Sequence, residues 1–306
     1  MSVIAIDWSG ARQPAGKLWI AEANGGCLRR LQSLPTREEA TIQVIQHLQR
    51  DSKAIVGLDF AFSMPAWFLR WHRLLSAFDL WAMAAREGEQ WLEECEPPFW
   101  GRPGKRRPDL ETHYRRTEQE VQRIKGITPK SCFQIGGAGA VGTGSVRGMP
   151  CLTRIREAGF TVWPFDPPTL PMVIEIYPRI LTGAVVKSSP KGRADYVKRY
   201  WPRLPATLAA VVGDSEDAFD AAVSALVMDR RRGELEGLVA ADEVGQLEGE
   251  IWVPASGTPN PPGDRDFDGG HSWAFGDGGI CPREGDSGRR GGRKNLVFLI
   301  NVPFFP

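Results

Sequence analysis

The chain lacks any run of about 18 uninterrupted apolar residues, the least a membrane-spanning helix needs. Met1 leads straight into a strand-like segment, with no basic stretch and signal core before it. The expectation is therefore a cytoplasmic protein with no membrane partner. Cysteine is sparse and scattered: Cys27, Cys95, Cys132, Cys151 and Cys281 contain no CxxC pair. That removes the spacing of a zinc ribbon or a redox dithiol and leaves free thiols in a reducing compartment as the expectation. The histidines, His47, His72, His113 and His271, form no HExxH or other paired spacing, so any metal would be held by oxygen ligands. Nor is there an excess of one charge. A net charge of +1 gives no global argument for a nucleic-acid partner, and the local distribution has to decide.

What is present suits a soluble enzyme. The 306 residues are 42% hydrophobic and 25% charged, with eleven Trp and fourteen Phe, enough for one substantial core or two modest ones. Val3 to Asp7 reads as a buried strand ending in a carboxylate, and Ala54 to Asp59 reads the same way. Between them, Lys17 to Ala21 and Cys27 to Leu31 predict two strands joined by Asn24-Gly25-Gly26, a hairpin signal. Thr36 suits a helix cap, with Glu38 and Glu39 in the first turn and Ile42, Val44, Ile45 and Leu48 as the apolar face. A helix at that place makes the Asp59 strand lie parallel to the first. Pro65 to about Cys95 is helical and Trp-rich, and a further helix is expected near Leu152 to Ala158. Strands are expected near Phe160 to Phe165 and over Pro171 to Tyr177, helices over Lys191 to Tyr200 and Ser215 to Met228, and a closing strand near Ile251.

Carboxylates are embedded where charge is costly. Asp7 and Asp59 end apolar strands, Glu175 sits within one, and Asp217 and Asp220 lie three residues apart on one face of an Ala-rich helix. In an open α/β sheet the carboxyl ends of parallel strands face one crevice, so these acids are expected to converge. Mg²⁺ or Mn²⁺ neutralises such a set, because both prefer oxygen ligands and keep waters that a phosphate oxygen can replace. A pair of such ions suits phosphodiester hydrolysis. Singly, Asp7 and Asp59 also suit turn caps, Glu175 an exposed edge, and Asp217 a first-turn helix acid.

The order strand-Asp, hairpin, helix, strand-Asp, insertion, strand-Glu and a DxxDA helix resembles the RNase H-like superfamily. Within it, IAIDWSGA (4–11), GLDFAFSMP (57–65), PKSCFQIGGAGAVGTGS (129–145), VWPFD (162–166), EIYPR (175–179) and DAFDAAVSAL (217–226) resemble the family catalogued as domain of unknown function 429, described as RNase H-fold nucleases. The resemblance covers about residues 1–254. It implies a mixed five-stranded sheet flanked by helices, with a helical and basic insertion at about 64–166. It also implies that Asp7, Asp59 and Asp220 or Asp217 bind metal, with Glu175 fitting less securely. The partner implied is a nucleic acid, DNA or RNA.

Between residues 96 and 130 nine Lys and Arg outnumber the acids; Lys105, Arg106, Arg107, Arg115 and Arg116 are candidates to grip a phosphate backbone, and a solvated helix explains them equally well. Lys130 and Ser131, beside the glycine-rich run Gly136 to Gly144, and Ser9, in the turn after Asp7, are further substrate candidates. Gly137 to Gly142 matches GxGxxG, a weak local signal for a dinucleotide. Two other functions remain open: a nucleotide-dependent phosphotransferase of the actin or sugar-kinase type, although the opening motif has no second copy, and a non-catalytic nucleic-acid-binding module. Residues 257–306 carry eleven Gly by residue 294, then an apolar end; they read as a disordered or aberrant tail with no catalytic role.

Overall fold

The structure, a computed structural model, describes residues 2–255 apart from Glu111 and Gln122; the expected tail, 257–306, and Cys281 lie outside the described residues. β1 (Val3–Asp7) alternates its side chains between two apolar layers. Ile4 and Ile6 enter one core and Val3 and Ala5 the other, so the strand is buried on both faces. β2 (Trp19–Asn24) and β3 (Cys27–Ser33) form the expected antiparallel meander on one side of it. β2 runs past its expected end because pairing carries it up to the Gly25-Gly26 turn, where both glycines have positive φ, and β3 runs past its own because Ser33 pairs with Trp19.

α1 (Arg37–Arg50) is capped by Thr36, whose hydroxyl accepts from the Glu39 N–H at 3.0 Å. It delivers the chain to β4 (Ile55–Leu58), parallel to β1 with Ile4 beside Val56. The expected helix from Pro65 to Cys95 is two, α2 (Ala66–Trp71) and α3 (Ala77–Glu94). The break falls where Arg73 takes a left-handed backbone (φ 57°), and Ser76 caps the restart. After the short α4 (Arg116–Glu120), α5 spans Gly142–Glu157, ten residues earlier than the expected Leu152 start.

β5 (Thr161–Val162) and β6 (Met172–Glu175) complete the sheet, whose order is β3-β2-β1-β4-β6-β5. The expected count of five strands is thus corrected to six: β5 pairs parallel along the free edge of β6 for two residues. Ile251 only bridges to Glu175 in place of a closing strand. Past β6 come α6 (Pro178–Thr182), α7 (Pro190–Tyr200), α8 (Ala206–Asp214), α9 (Glu216–Arg230), α10 (Arg232–Glu236) and α11 (Glu243–Glu248).

Helices cover both faces. Leu80, Trp81 and Ala84 of α3 and Val146, Met149 and Leu152 of α5 share a core with Ile4, Ile6, Val56 and Leu58, so the 64–166 insertion builds one face of the fold. On the other face α9 supplies Phe219, Val223 and Met228 against Val3, Ala5 and Ile174. Gly57 makes that approach possible, since a Cβ there would meet Met228 Sδ at 2.7 Å. Cys95, Cys132 and Cys151 are free thiols, as expected for them. Among the described residues no helix is long and apolar enough to cross a membrane.

Candidate active site

Asp7 is the last residue of β1, and the Asp59 N–H donates to the Ile6 carbonyl at 3.1 Å, so the two carboxylates leave adjacent parallel strands side by side. α9 begins at its Ser215 cap, whose hydroxyl accepts from the Ala218 N–H at 3.1 Å, and lies across β1 with Asp220 6% exposed. The chain has no choice about this burial. Asp220 is one turn into a helix whose neighbours Phe219, Ala221 and Ala222 must reach the sheet.

The electrostatics are those of an under-compensated cluster. Burial, then Asp220, Asp59 and Asp217, raise the Asp7 pKa well above the ordinary carboxylate range. Burial, then Asp220, pushes Asp59 up to about 8. Burial pushes Asp220 up to about 6, held back by Lys187. Asp217, at the helix start, is raised by burial and by Glu216. Tyr177 faces the same charges: burial and then Asp59 push it up to about 12.

Lys187, absent from the sequence-derived candidates, is the cation that answers these acids. Its Nζ donates to Asp220 Oδ2. The loop that carries it is tied down by buried Arg193, which donates to the Lys187 carbonyl and to the Gly213 carbonyl at 3.0 and 2.7 Å. Asp220 Oδ1 is buried with no hydrogen-bond partner among the described residues.

Glu175 belongs to a different arrangement. Arg115, 1% exposed, grips it through Nη1 to Oε2 at 2.8 Å and Nη2 to Oε1 at 2.5 Å, while the Phe62 N–H adds a third bond at 2.9 Å. Arg115 Nε also donates to Glu118 at 3.0 Å. Glu175 is thus neutralised by a fork of protein donors, and Arg115 is not free to meet a substrate. Asp166 likewise is spent on Arg156 and on the Val162 N–H.

The other substrate candidates divide. Arg116 is held by Asp242 at 2.6 and 2.7 Å and by Glu250 at 3.1 Å, Lys105 by Glu96 at 2.6 Å, and Arg107 lies over the Trp100 and Tyr114 rings. Ser131 is 1% exposed and donates to the His113 carbonyl. Arg106 is exposed. Lys130 is placed with the acids: it lines a cavity of about 230 Å³ shared with Trp8, Asp59, Phe60, Glu175 and Tyr177. The Trp8 and Phe60 rings meet there, tilted at 47° with centroids 4.8 Å apart, as an apolar wall beside Asp59. Ser9 faces a neighbouring cavity, and its hydroxyl accepts from the Ala11 N–H at 3.2 Å.

The glycine-rich run forms the roof. Gly10 and Gly144 are in contact, and a Cβ on Gly10 would stand 2.5 Å from the Gly144 nitrogen. Cys132 to Ile135 forms no strand of the sheet, so the strand that a GxGxxG fingerprint requires is missing. Among the described residues no group of three or more His, Cys, Asp or Glu side chains stands close enough to hold a metal ion. Comparisons of the chain with protein-family models, with curated proteins and with solved structures found no match.

Proposed function

We propose that the chain is a divalent-metal-dependent nuclease of the RNase H-like type, hydrolysing phosphodiester bonds at Asp7, Asp59 and Asp220. The observation that carries this reading is the convergence of those acids, from two adjacent strands and one helix, with Lys187 the cation bonded to them among the described residues. Such a charge excess is unfavourable in a folded chain unless a cation joins it. The order of elements supports the superfamily: strand-Asp, hairpin, helix, parallel strand-Asp, and a late helix bearing DxxDA laid across the first strand. The motif resemblance to the domain of unknown function 429 is the sequence argument beside it.

The donor set suits Mg²⁺ or Mn²⁺. It offers carboxylate oxygens alone, and one of them, Asp220 Oδ1, is buried and unpaired. As they stand the side chains do not enclose an ion, and Lys187 is the cation on Asp220; the reading requires Asp220 to exchange that partner. A bound ion would supply an activated water and charge compensation for the phosphate. Asp7, Asp59 and Asp220 would hold it, Asp217 would add negative charge beside them, and Lys187 is the cation that answers Asp220 in its place. Trp8 and Phe60 exclude bulk water from one side, and Lys130 stands over the cavity to meet a phosphate oxygen. Glu175 shapes the pocket floor through Arg115 and binds no metal.

The test is cleavage of labelled single-stranded, duplex, hybrid and branched DNA and RNA in Mg²⁺ or Mn²⁺, with folded Asp7→Asn and Asp220→Asn variants. The expected result is metal-dependent cleavage lost in both. Cleavage unchanged in both variants contradicts the reading, as does none by folded wild type on every substrate.

A further inference from the structure

Beside the acid cavity lies a larger one of about 800 Å³, and the two share Gly10 and Ala140 in their walls. The segment from Gly136 to Gly144 is the partition: Gly136, Gly137 and Thr143 face the larger space, Gly139, Val141 and Gly144 the smaller. The larger cavity contains Arg12, Lys17, Arg102 and Arg147 against Glu89 and Glu93. Arg147 and Glu89 cancel, bonded at 2.6 and 2.7 Å. Three cations then face one acid, and the side chains of Arg12, Lys17 and Arg102 form no hydrogen bond or ion pair among the described residues.

These cations are presented by fixed backbone. The turn after β1 is clamped: Arg37 donates to the Ser9 and Ala11 carbonyls at 3.0 and 2.7 Å and Arg147 to the Gly10 carbonyl at 2.6 Å. Arg12 follows directly. Arg102 follows Gly101, whose backbone passes so close to Gly136 that a Cβ on it would stand 2.3 Å from the Gly136 oxygen. Burial and Glu216 raise the Asp217 pKa, and Lys17 offsets part of that rise. Lys105, Arg115 and Arg116, in the same basic stretch as Arg102, are by contrast all engaged by carboxylates.

We infer that this cavity is a backbone-phosphate subsite, taking one strand of a polynucleotide on one side of the bond that is cut, with Arg12, Lys17 and Arg102 as its phosphate contacts. The inference rests on the nuclease reading above and gives its substrate a path: phosphates enter along Arg102 and Arg12, pass the Gly10–Ala140 ridge, and meet the acids beyond it. Contacts of this kind position a strand without reading its sequence.

The experiment is fluorescence anisotropy of labelled 20-nucleotide single-stranded DNA and RNA with the full chain in EDTA, titrated with salt. Arg12→Ala, Lys17→Ala and Arg102→Ala are compared with Arg106→Ala, Lys130→Ala and a remote control, Lys198→Ala. Each cavity variant is expected to weaken binding several-fold and to reduce the slope of log K against log salt by about 0.7, the single-strand value per phosphate contact. Lys198→Ala is expected to change neither. Oligonucleotide binding that survives all three cavity variants but falls with Arg106→Ala overturns the subsite and leaves the nuclease reading standing. No binding of either oligonucleotide by folded wild type at low salt, or equal competition by inorganic pyrophosphate at matched phosphate concentration, overturns the subsite, and the cleavage panel above decides the nuclease reading separately. All three substitutions are at exposed side chains, so circular dichroism is expected to be unchanged.

Discussion

Two buried acidic clusters sit at the carboxyl ends of neighbouring strands and are neutralised in opposite ways. At β6, Glu175 receives two guanidinium bonds and a backbone N–H, and Arg115 divides its remaining donors between Glu118 and the Glu248 carbonyl. At β1 and β4, Asp7, Asp59 and Asp220 share Lys187, and one carboxylate oxygen is left without a partner. The first cluster is complete as protein alone and holds the 96–130 segment against the sheet. The second is left short of a bonded counter-charge among the described residues, and on the proposed reading a divalent cation completes it. Burial of a carboxylate therefore does not mark function by itself; burial without enough cationic compensation does.

Substitutions that break this contrast have graded effects. Arg115→Met leaves Glu175 and Glu118 buried without their cation and is expected to cost about 3–5 kcal/mol in urea unfolding. Arg115→Met combined with Glu175→Gln and Glu118→Gln is expected to recover much of that loss, since no uncompensated charge then remains. Asp59→Asn acts the opposite way. Its folded pKa is raised from 3.8 to about 8, so the folded state holds a proton the unfolded chain has lost. Stability conferred by that proton is present at low pH and is lost as pH rises from about 4 to about 8. Metal-free Asp59→Asn is thus expected to flatten the decline of stability over this window and to be more stable at pH 8 by roughly 3 kcal/mol, an order-of-magnitude figure at about 1.4 kcal/mol per pKa unit with allowance for coupling to Asp220. An unchanged pH profile contradicts the charge excess.

Lys187→Met removes the resident cation and is expected to lower metal-free stability at pH 8 by about 1.5–3 kcal/mol. Added Mg²⁺ is expected to restore more stability to this variant than to wild type, measured as the shift in Tm. Smallest of all is Lys105→Ala. Its ion pair with Glu96 is on the surface, and no change in Tm is expected.

The acids were legible because each interrupts an apolar run: Asp7 and Asp59 end strands, and Asp220 recurs with Asp217 at helical spacing. Their gathering follows from parallel pairing of β1 with β4, which the intervening helix α1 already dictated. Lys187 was not legible. It stands in the short loop 183–189 between α6 and α7, and its position depends on Arg193 reaching the Gly213 carbonyl, a contact across 20 residues with no local signature. The Arg115 to Glu175 pair spans 60 residues and hid inside a stretch that composition alone marks as basic surface. Helix α5 ran against propensity. Gly144, Gly148 and Pro150 all argue for a later start, yet Gly148 is where Phe60 lies against the helix, a Cβ there meeting the ring at 2.6 Å. Packing overrode the local preference.

The most direct test is Mn²⁺ binding, followed by calorimetry and by the electron paramagnetic resonance signal of the free ion, to wild type, Asp7→Asn, Asp220→Asn and Glu175→Gln. The account predicts binding by wild type that is lost in Asp7→Asn and Asp220→Asn and kept in Glu175→Gln wherever that variant folds. No binding by folded wild type, or binding indifferent to both aspartate substitutions, would contradict it.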